Sequence, residues 1–183
     1  MIERTGNWMQ TYTGRQFWPL DPRPDDIDII DIAAALSKLC RFGGHCRKFY
    51  SVAEHCVHIA GQAPHPLRFQ ALMHDAAEAY LVDVPRPIKH CLTEYLEIER
   101  RIEICIFQKF KIPYPIANEV KHLDNRMLLT ECNKNMGLPP APWGFPQGAG
   151  EVEPLDIDLQ FWPPERAEHQ FLAAFALHSR EIL

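Results

Sequence analysis

The chain has 183 residues, 46% of them hydrophobic and 23% charged. That is one domain's worth with a sizeable core, and it argues against collagen, coiled coil and intrinsic disorder. Lys and Arg number 19 against 24 Asp and Glu, a net charge of -5, which argues against broad electrostatic binding to nucleic acid or to an anionic membrane while leaving room for a small anion at a local site.

The stretch from Trp8 to Pro19 alternates loosely around Thr13-Gly14 and reads as a small hairpin. A turn follows at 21–24. A helix is expected from Asp26 to Cys40, with Ile29, Ile32, Ala33, Leu36 and Leu39 at the helical period. Gly43 and Gly44 end it. Ser51-Val52-Ala53-Glu54 reads as a capping box opening a helix to about Ala63. Pro66 suits the first turn of the next helix, which carries His74, Asp75 and Glu78 and must stop before Asp83-Val84-Pro85-Arg86-Pro87. Thr93 to Phe110 and Ile116 to Met136 read as two amphipathic helices, the second closed by Gly137.

Between 138 and 164 there are seven prolines and three glycines. This is a long irregular loop of the kind that forms lids or interface arms. Its aromatic residues Trp143, Phe145, Phe161 and Trp162 are expected to pack it onto the domain or onto a neighbouring subunit. A last helix occupies 164–183. The fold class is therefore an all-α bundle of five to six helices with a Pro-rich loop before the last one.

No run approaches the roughly 20 apolar residues that cross a bilayer, and the first residues lack a secretory apolar run. None of the six cysteines forms a C-x-x-C pair. The expectation is a reduced, cytoplasmic protein without disulfides.

Four residues stand out against apolar helical surroundings: His55, the neighbours His74 and Asp75, and Asp124. Ionisable groups rarely enter such surroundings without partners. Two imidazoles and two carboxylates from three helices suit a divalent transition ion (Co, Mn, Zn, Fe or Ni). An ion so held activates water and polarises a phosphoryl group. Glu78 lies four residues after His74 and three after Asp75, close to the same face, and His58 lies three after His55. The plain alternative is that each histidine is a packed core residue, since a single His-Asp dipeptide arises by chance in many chains.

The order of these residues resembles the HD-domain metal-dependent phosphohydrolases. Arg41-Phe42, Ser51-Val52-Ala53-Glu54-His55, His74-Asp75-Ala76-Ala77-Glu78 and Asp83-Val84-Pro85-Arg86-Pro87-Ile88-Lys89 look like the successive blocks of their bacterial 5'-deoxynucleotidase branch. The resemblance covers about residues 26–136. Thr11 to Pro19 and the Cys40–His45 segment also look like phage and prophage members, some of which are deoxynucleoside triphosphate triphosphohydrolases, including a group acting on dATP.

The resemblance implies one HD domain over 1–183, with a metal-binding core at 26–136, the loop at 138–164 and the final helix at 164–183. It implies a metal held by His55, His74, Asp75 and Asp124, with Glu78 and Asp83 as catalytic residues. Arg41, Phe42, His45 and Lys89 are then substrate-binding: Arg41 for phosphate, Phe42 for base stacking where some members carry Trp. A triphosphate substrate brings in a second ion, Mg or Mn. The implied partner is a deoxyribonucleotide, with no membrane and no direct nucleic-acid binding. The chain is expected as a homo-oligomer, dimer or hexamer, in the cytoplasm, or in that of a bacterial host if phage-encoded.

Each helper also has a plain reading. Arg41 could cap the preceding helix, Phe42 could be core, Lys89 plain surface and His45 a packed loop residue. Three activities stay open: hydrolysis of deoxynucleoside mono- or triphosphates at the 5'-phosphate, another hydrolase on this scaffold such as one for cyclic nucleotides or alarmones, and a non-catalytic metal-containing nucleotide sensor or replication-interaction protein.

Overall fold

The hairpin is present in the computed structural model, which describes residues 3–144 and 152–181: β1 (Met9–Gln10) pairs antiparallel with β2 (Gln16–Phe17). Gly14, at φ +84, takes the left-handed conformation the turn needs. Asp31 ties the turn to the first helix by accepting from Thr13 N at 2.6 Å and from the Thr13 hydroxyl at 3.0 Å.

Among the described residues everything else regular is helical, so the fold is an all-α bundle. Helix α1 (Ile29–Leu36) is shorter than the expected 26–40 span. Its start is set by Asp28, whose carboxylate accepts from Ile30 N, while residues 24–26 form a separate 3-10 turn. Its end is set by a long-range pairing: Arg41 N donates to Tyr50 O at 2.9 Å and Val52 N to Leu39 O at 3.0 Å. Those bonds require extended backbone at Cys40.

Helix α2 (Val52–Gln62) begins at Ser51, whose hydroxyl accepts from Glu54 N at 3.1 Å. The other half of the expected capping box is absent. The Glu54 carboxylate instead accepts from the amides of Gln160, Phe161 and Trp162 at 2.7, 2.9 and 2.7 Å. A fully buried carboxylate needs several donors, and three consecutive amides supply them better than one helix-end amide.

The helix expected from Pro66 to before Asp83 is two pieces, α3 (Arg68–Met73) and α4 (Glu78–Leu81). Between them the bonds shorten to an i to i+3 pattern: Ala76 N donates to Met73 O and Glu78 N to Asp75 O. Side chains three apart eclipse in such a turn, which sets Glu78 under Asp75. A single turn, α5 (Arg86–Lys89), follows the prolines. Helix α6 (Thr93–Phe110) matches its expected span, and α7 (Asn118–Asn135) starts two residues late and ends one early. The last, α8 (Pro164–His178), packs on α1, α2 and α3, while α2 also meets α3 and α7. Among the described residues, six helices of six or more residues and two single turns make up the bundle.

The core runs from Phe17 to Phe171, with α2 at its centre. The loop between α7 and α8 is irregular throughout its described parts. It is fastened at several points. Leu155 N donates to Thr130 Oγ1 at 2.7 Å, Arg126 donates to Glu153 O at 3.0 Å, and Trp162 stacks on His58 with ring centres 5.7 Å apart. Phe161 and Trp162 thus pack the loop onto its own domain, as expected; Phe145 lies outside the described residues. The six cysteines are free. No helix among the described residues is long and apolar enough to cross a membrane.

Candidate metal centre and substrate cavity

Two helices, α2 and α7, and the tight turn between α3 and α4 bring the four singled-out residues together. His55 on α2, His74 and Asp75 in the turn each offer one ligand atom, and these atoms all lie within 4.8 Å of one another, a group that could hold a metal ion. Asp75 Oδ2 is 3.5 Å from His55 Nε2 and 3.3 Å from His74 Nε2. Asp124 on α7 approaches from the other side, its Oδ1 3.3 and 4.0 Å from the same two nitrogens.

The ring orientations are set from behind. His55 Nδ1 is 2.6 Å from Glu131 Oε1 and His74 Nδ1 is 2.8 Å from Ala71 O. An ionised carboxylate and a carbonyl only accept, so each Nδ1 must be the donor. In its neutral form each imidazole then presents the Nε2 lone pair to the shared point, which is how a metal-ligating histidine is held. Both Nε2 atoms are buried, and neither makes a well-aligned hydrogen bond. The donor set of His55, His74 and Asp75 could therefore hold a metal ion.

Glu131 is the cluster residue that sequence reasoning missed. It is fully buried, and besides His55 it accepts from Arg41 Nη2 at 3.0 Å and Nε at 3.3 Å. One signal for it existed: it lies seven residues after Asp124 on α7, two turns along the same face. Arg41 is buried rather than a helix cap, with Asp75 and Asp83 each 3.9 Å from its Nη1.

The charges are mutually dependent. Burial alone would raise Asp75, Asp124 and Glu131, yet all three lie below the usual carboxylate range: His74 holds Asp75 down, His55 holds Asp124 down, and Arg41 with His55 holds Glu131 down. Burial would lower both imidazoles, and Arg41 adds to this at His55. The carboxylates outweigh these effects and raise both, Glu131 chiefly at His55 and Asp75 at His74. Glu78 differs. Burial, then Asp75 and Asp83, push it well above its ordinary value, and its Oε2 is buried with no hydrogen-bond partner.

A cavity of about 620 Å³ opens beside this cluster. Asp75, Asp124, Glu78 and Asp83 line one part, with Arg41, Arg86 and Lys89 as the cations. Arg86 is 3.5 Å from Asp124 Oδ2, and Lys89 is paired with Glu99 at 2.7 Å. Phe42 and Trp143 line it as well. Of the expected substrate residues, Arg41, Phe42 and Lys89 reach the cavity; His45 is exposed and does not line it. His58 turns away from the cluster to Trp162. Arg86 and Trp143 were not anticipated as lining residues.

No protein-family model matches the chain. It is 38% identical over 152 residues to the uncharacterized protein YfdR of Escherichia coli (strain K12), covering 82% of this chain and 85% of that one. It is 32% identical over 145 residues to an uncharacterized protein of Rhodobacter capsulatus, covering 72% of this chain and 74% of the relative.

Proposed function

This chain belongs to the family of YfdR and its Rhodobacter capsulatus relative, and from that premise and the geometry of the site we propose that it is an HD-type metal-dependent phosphohydrolase that cleaves the 5'-phosphate ester of deoxyribonucleotides. The observation that carries this reading is the pair of buried imidazoles, each locked from behind through Nδ1 and each turning Nε2 to the same point beside Asp75 and Asp124. A merely structural cluster would not need that cluster to face a cavity with Glu78 beside it.

The residues that would hold the ion are His55, His74, Asp75 and Asp124, and the ion (Co, Mn, Zn, Fe or Ni) would supply Lewis acidity to the phosphoryl group and lower the pKa of water. Arg41 is fixed by Glu131 and faces the cavity, placed to neutralise a phosphate oxygen. Glu78, whose carboxyl is raised by burial and its acidic neighbours, is placed to hold the attacking water or to give a proton to the leaving 5' oxygen. Water oxygen joins phosphorus, the bond from phosphorus to the 5' oxygen breaks, and that oxygen leaves as the hydroxyl of a deoxynucleoside. Asp83, beside Arg41, keeps the guanidinium on the cavity side.

A monophosphate is the better fit. A triphosphate would need further cations and a second ion such as Mg or Mn. Beyond Arg41 the cavity offers Arg86 and Lys89, and these are already paired with Asp124 and Glu99; Arg126 is tied to Glu153 O and Pro154 O, and Lys48 lies over the Phe161 ring.

The test is product analysis on metal-replenished protein offered panels of deoxynucleoside mono- and triphosphates. Free phosphate from monophosphates is the expected result. Tripolyphosphate from triphosphates would move the substrate up the series. Release of neither while metal is bound stoichiometrically would favour a nucleotide sensor.

A further inference from the structure

Part of the cavity lining is apolar and aromatic, and some of it comes from the Pro-rich arm. Leu128 and Met136 on and after α7, and Val84 and Pro85 after α4, line it together with Phe42 and Trp143. Trp143 meets Phe42 edge-on, ring centres 6.5 Å apart and planes at 68°. Phe42 sits at φ +59, a left-handed conformation that costs a residue with a Cβ on the order of 1 kcal/mol. Such cost is tolerated where the surrounding structure needs the side chain in one place. The Arg41 guanidinium lies 5.5 Å from the centre of the same ring, so the aromatic wall and the phosphate-facing cation are neighbours.

Trp143 is not held like a packing residue. Trp162, in the same arm, is 8% exposed and stacked on His58, whereas Trp143 is 40% exposed while lining the cavity. Pro139, Pro140 and Pro142 restrict the backbone before it, and the Thr130 and Arg126 bonds hold the arm again at Leu155 and Glu153.

Resting on the reading above, we propose that Trp143 is a specificity-determining residue: the Pro-rich arm supplies it, with Phe42, as an aromatic subsite on which the base of the deoxynucleoside stacks. Stacking on an aromatic face is available to every base, so the subsite selects for a base and only weakly among bases. The sugar and phosphate are then left to the Arg41 and metal-cluster end of the cavity.

The experiment measures equilibrium binding of the four deoxynucleosides and of 2-deoxyribose, none of which carries a phosphate to hydrolyse, by calorimetry and by tryptophan fluorescence. Trp143→Ala is expected to weaken deoxynucleoside binding roughly tenfold or more and to leave the response to 2-deoxyribose unchanged. Trp143→Phe is expected to retain most of the affinity while losing the ligand-dependent quenching. Melting temperatures of both variants near that of the parent protein establish that they fold. Equal deoxynucleoside affinity in Trp143→Ala and the parent overturns the inference, as does a parallel loss for 2-deoxyribose or a parent that binds no deoxynucleoside. Binding that depends on Trp143 in a protein that hydrolyses no nucleotide would sustain the subsite and overturn the phosphohydrolase reading alone.

Discussion

Glu131 Oε1 lies 2.6 Å from His55 Nδ1, and both side chains are completely buried. The same carboxylate receives Arg41, so one residue orients an imidazole of the candidate metal cluster and a cation of the cavity. Removing the charge alone should therefore affect two functions at once. Glu131→Gln is expected to lower divalent-metal affinity about 10- to 100-fold, the usual cost of losing a partner behind a ligating histidine. Competition against a chromophoric chelator reads this directly. Unchanged affinity would remove Glu131 from the support of the site.

The helical class and the cluster of His55, His74, Asp75 and Asp124 were legible because apolar periodicity makes a buried ionisable residue conspicuous. The break at His74 was not, since residues 74–77 contain no proline or glycine, and His74 and Ala77 at its ends keep right-handed backbone; the change is one of hydrogen-bond length along the chain, from i+4 to i+3. The role of Glu54 was hidden by distance. Its partners lie 106–108 residues away, and a local motif offered a cheaper explanation. Glu131 and Trp143 were obscured in the same way: both matter through what the tertiary fold sets beside them.

In the proposed hydrolysis, Glu78 separates metal binding from turnover. Glu78→Gln keeps the volume of the side chain and one carbonyl oxygen but cannot exchange a proton. It is expected to leave metal stoichiometry unchanged and to lower kcat by about 10²-fold or more, with a smaller effect on KM. Steady-state kinetics on a monophosphate, together with metal analysis of the same sample, provides the comparison. Parental kcat in this variant would remove Glu78 from the mechanism.

The three amides of residues 160–162 converge on Glu54, and this is where the arm rejoins the bundle. Glu54→Ala leaves three backbone donors without their acceptor, with Trp162 buried and Phe161 half-buried. The expected loss is about 3 kcal/mol or more, since bonds to a charged acceptor contribute roughly 1.5–3 kcal/mol each and do not add fully. Glu54→Gln should recover only part of it, because its amide group turns a donor toward donors. Urea unfolding of the three proteins tests the order; equal midpoints would mean that the arm is held elsewhere.

Glu103 gives the stability a pH dependence that can be assigned. Burial, then the neighbouring Glu99, raise its carboxyl to about 7 in the folded chain, against an ordinary value near 4.5. Between those two values the folded protein binds more protons than the unfolded chain, so stability falls as pH rises through that window. The stabilising contribution is fully present below about pH 4.5 and lost above about 7. Glu103→Gln carries no such proton. Its melting temperature is expected to match the parent near pH 5 and to exceed it at pH 8, where the parent must keep a half-buried carboxylate ionised beside Glu99. Scanning calorimetry at the two pH values decides the matter: a variant that gains nothing at pH 8 would show that Lys121 and His74, the cationic neighbours, already neutralise the site.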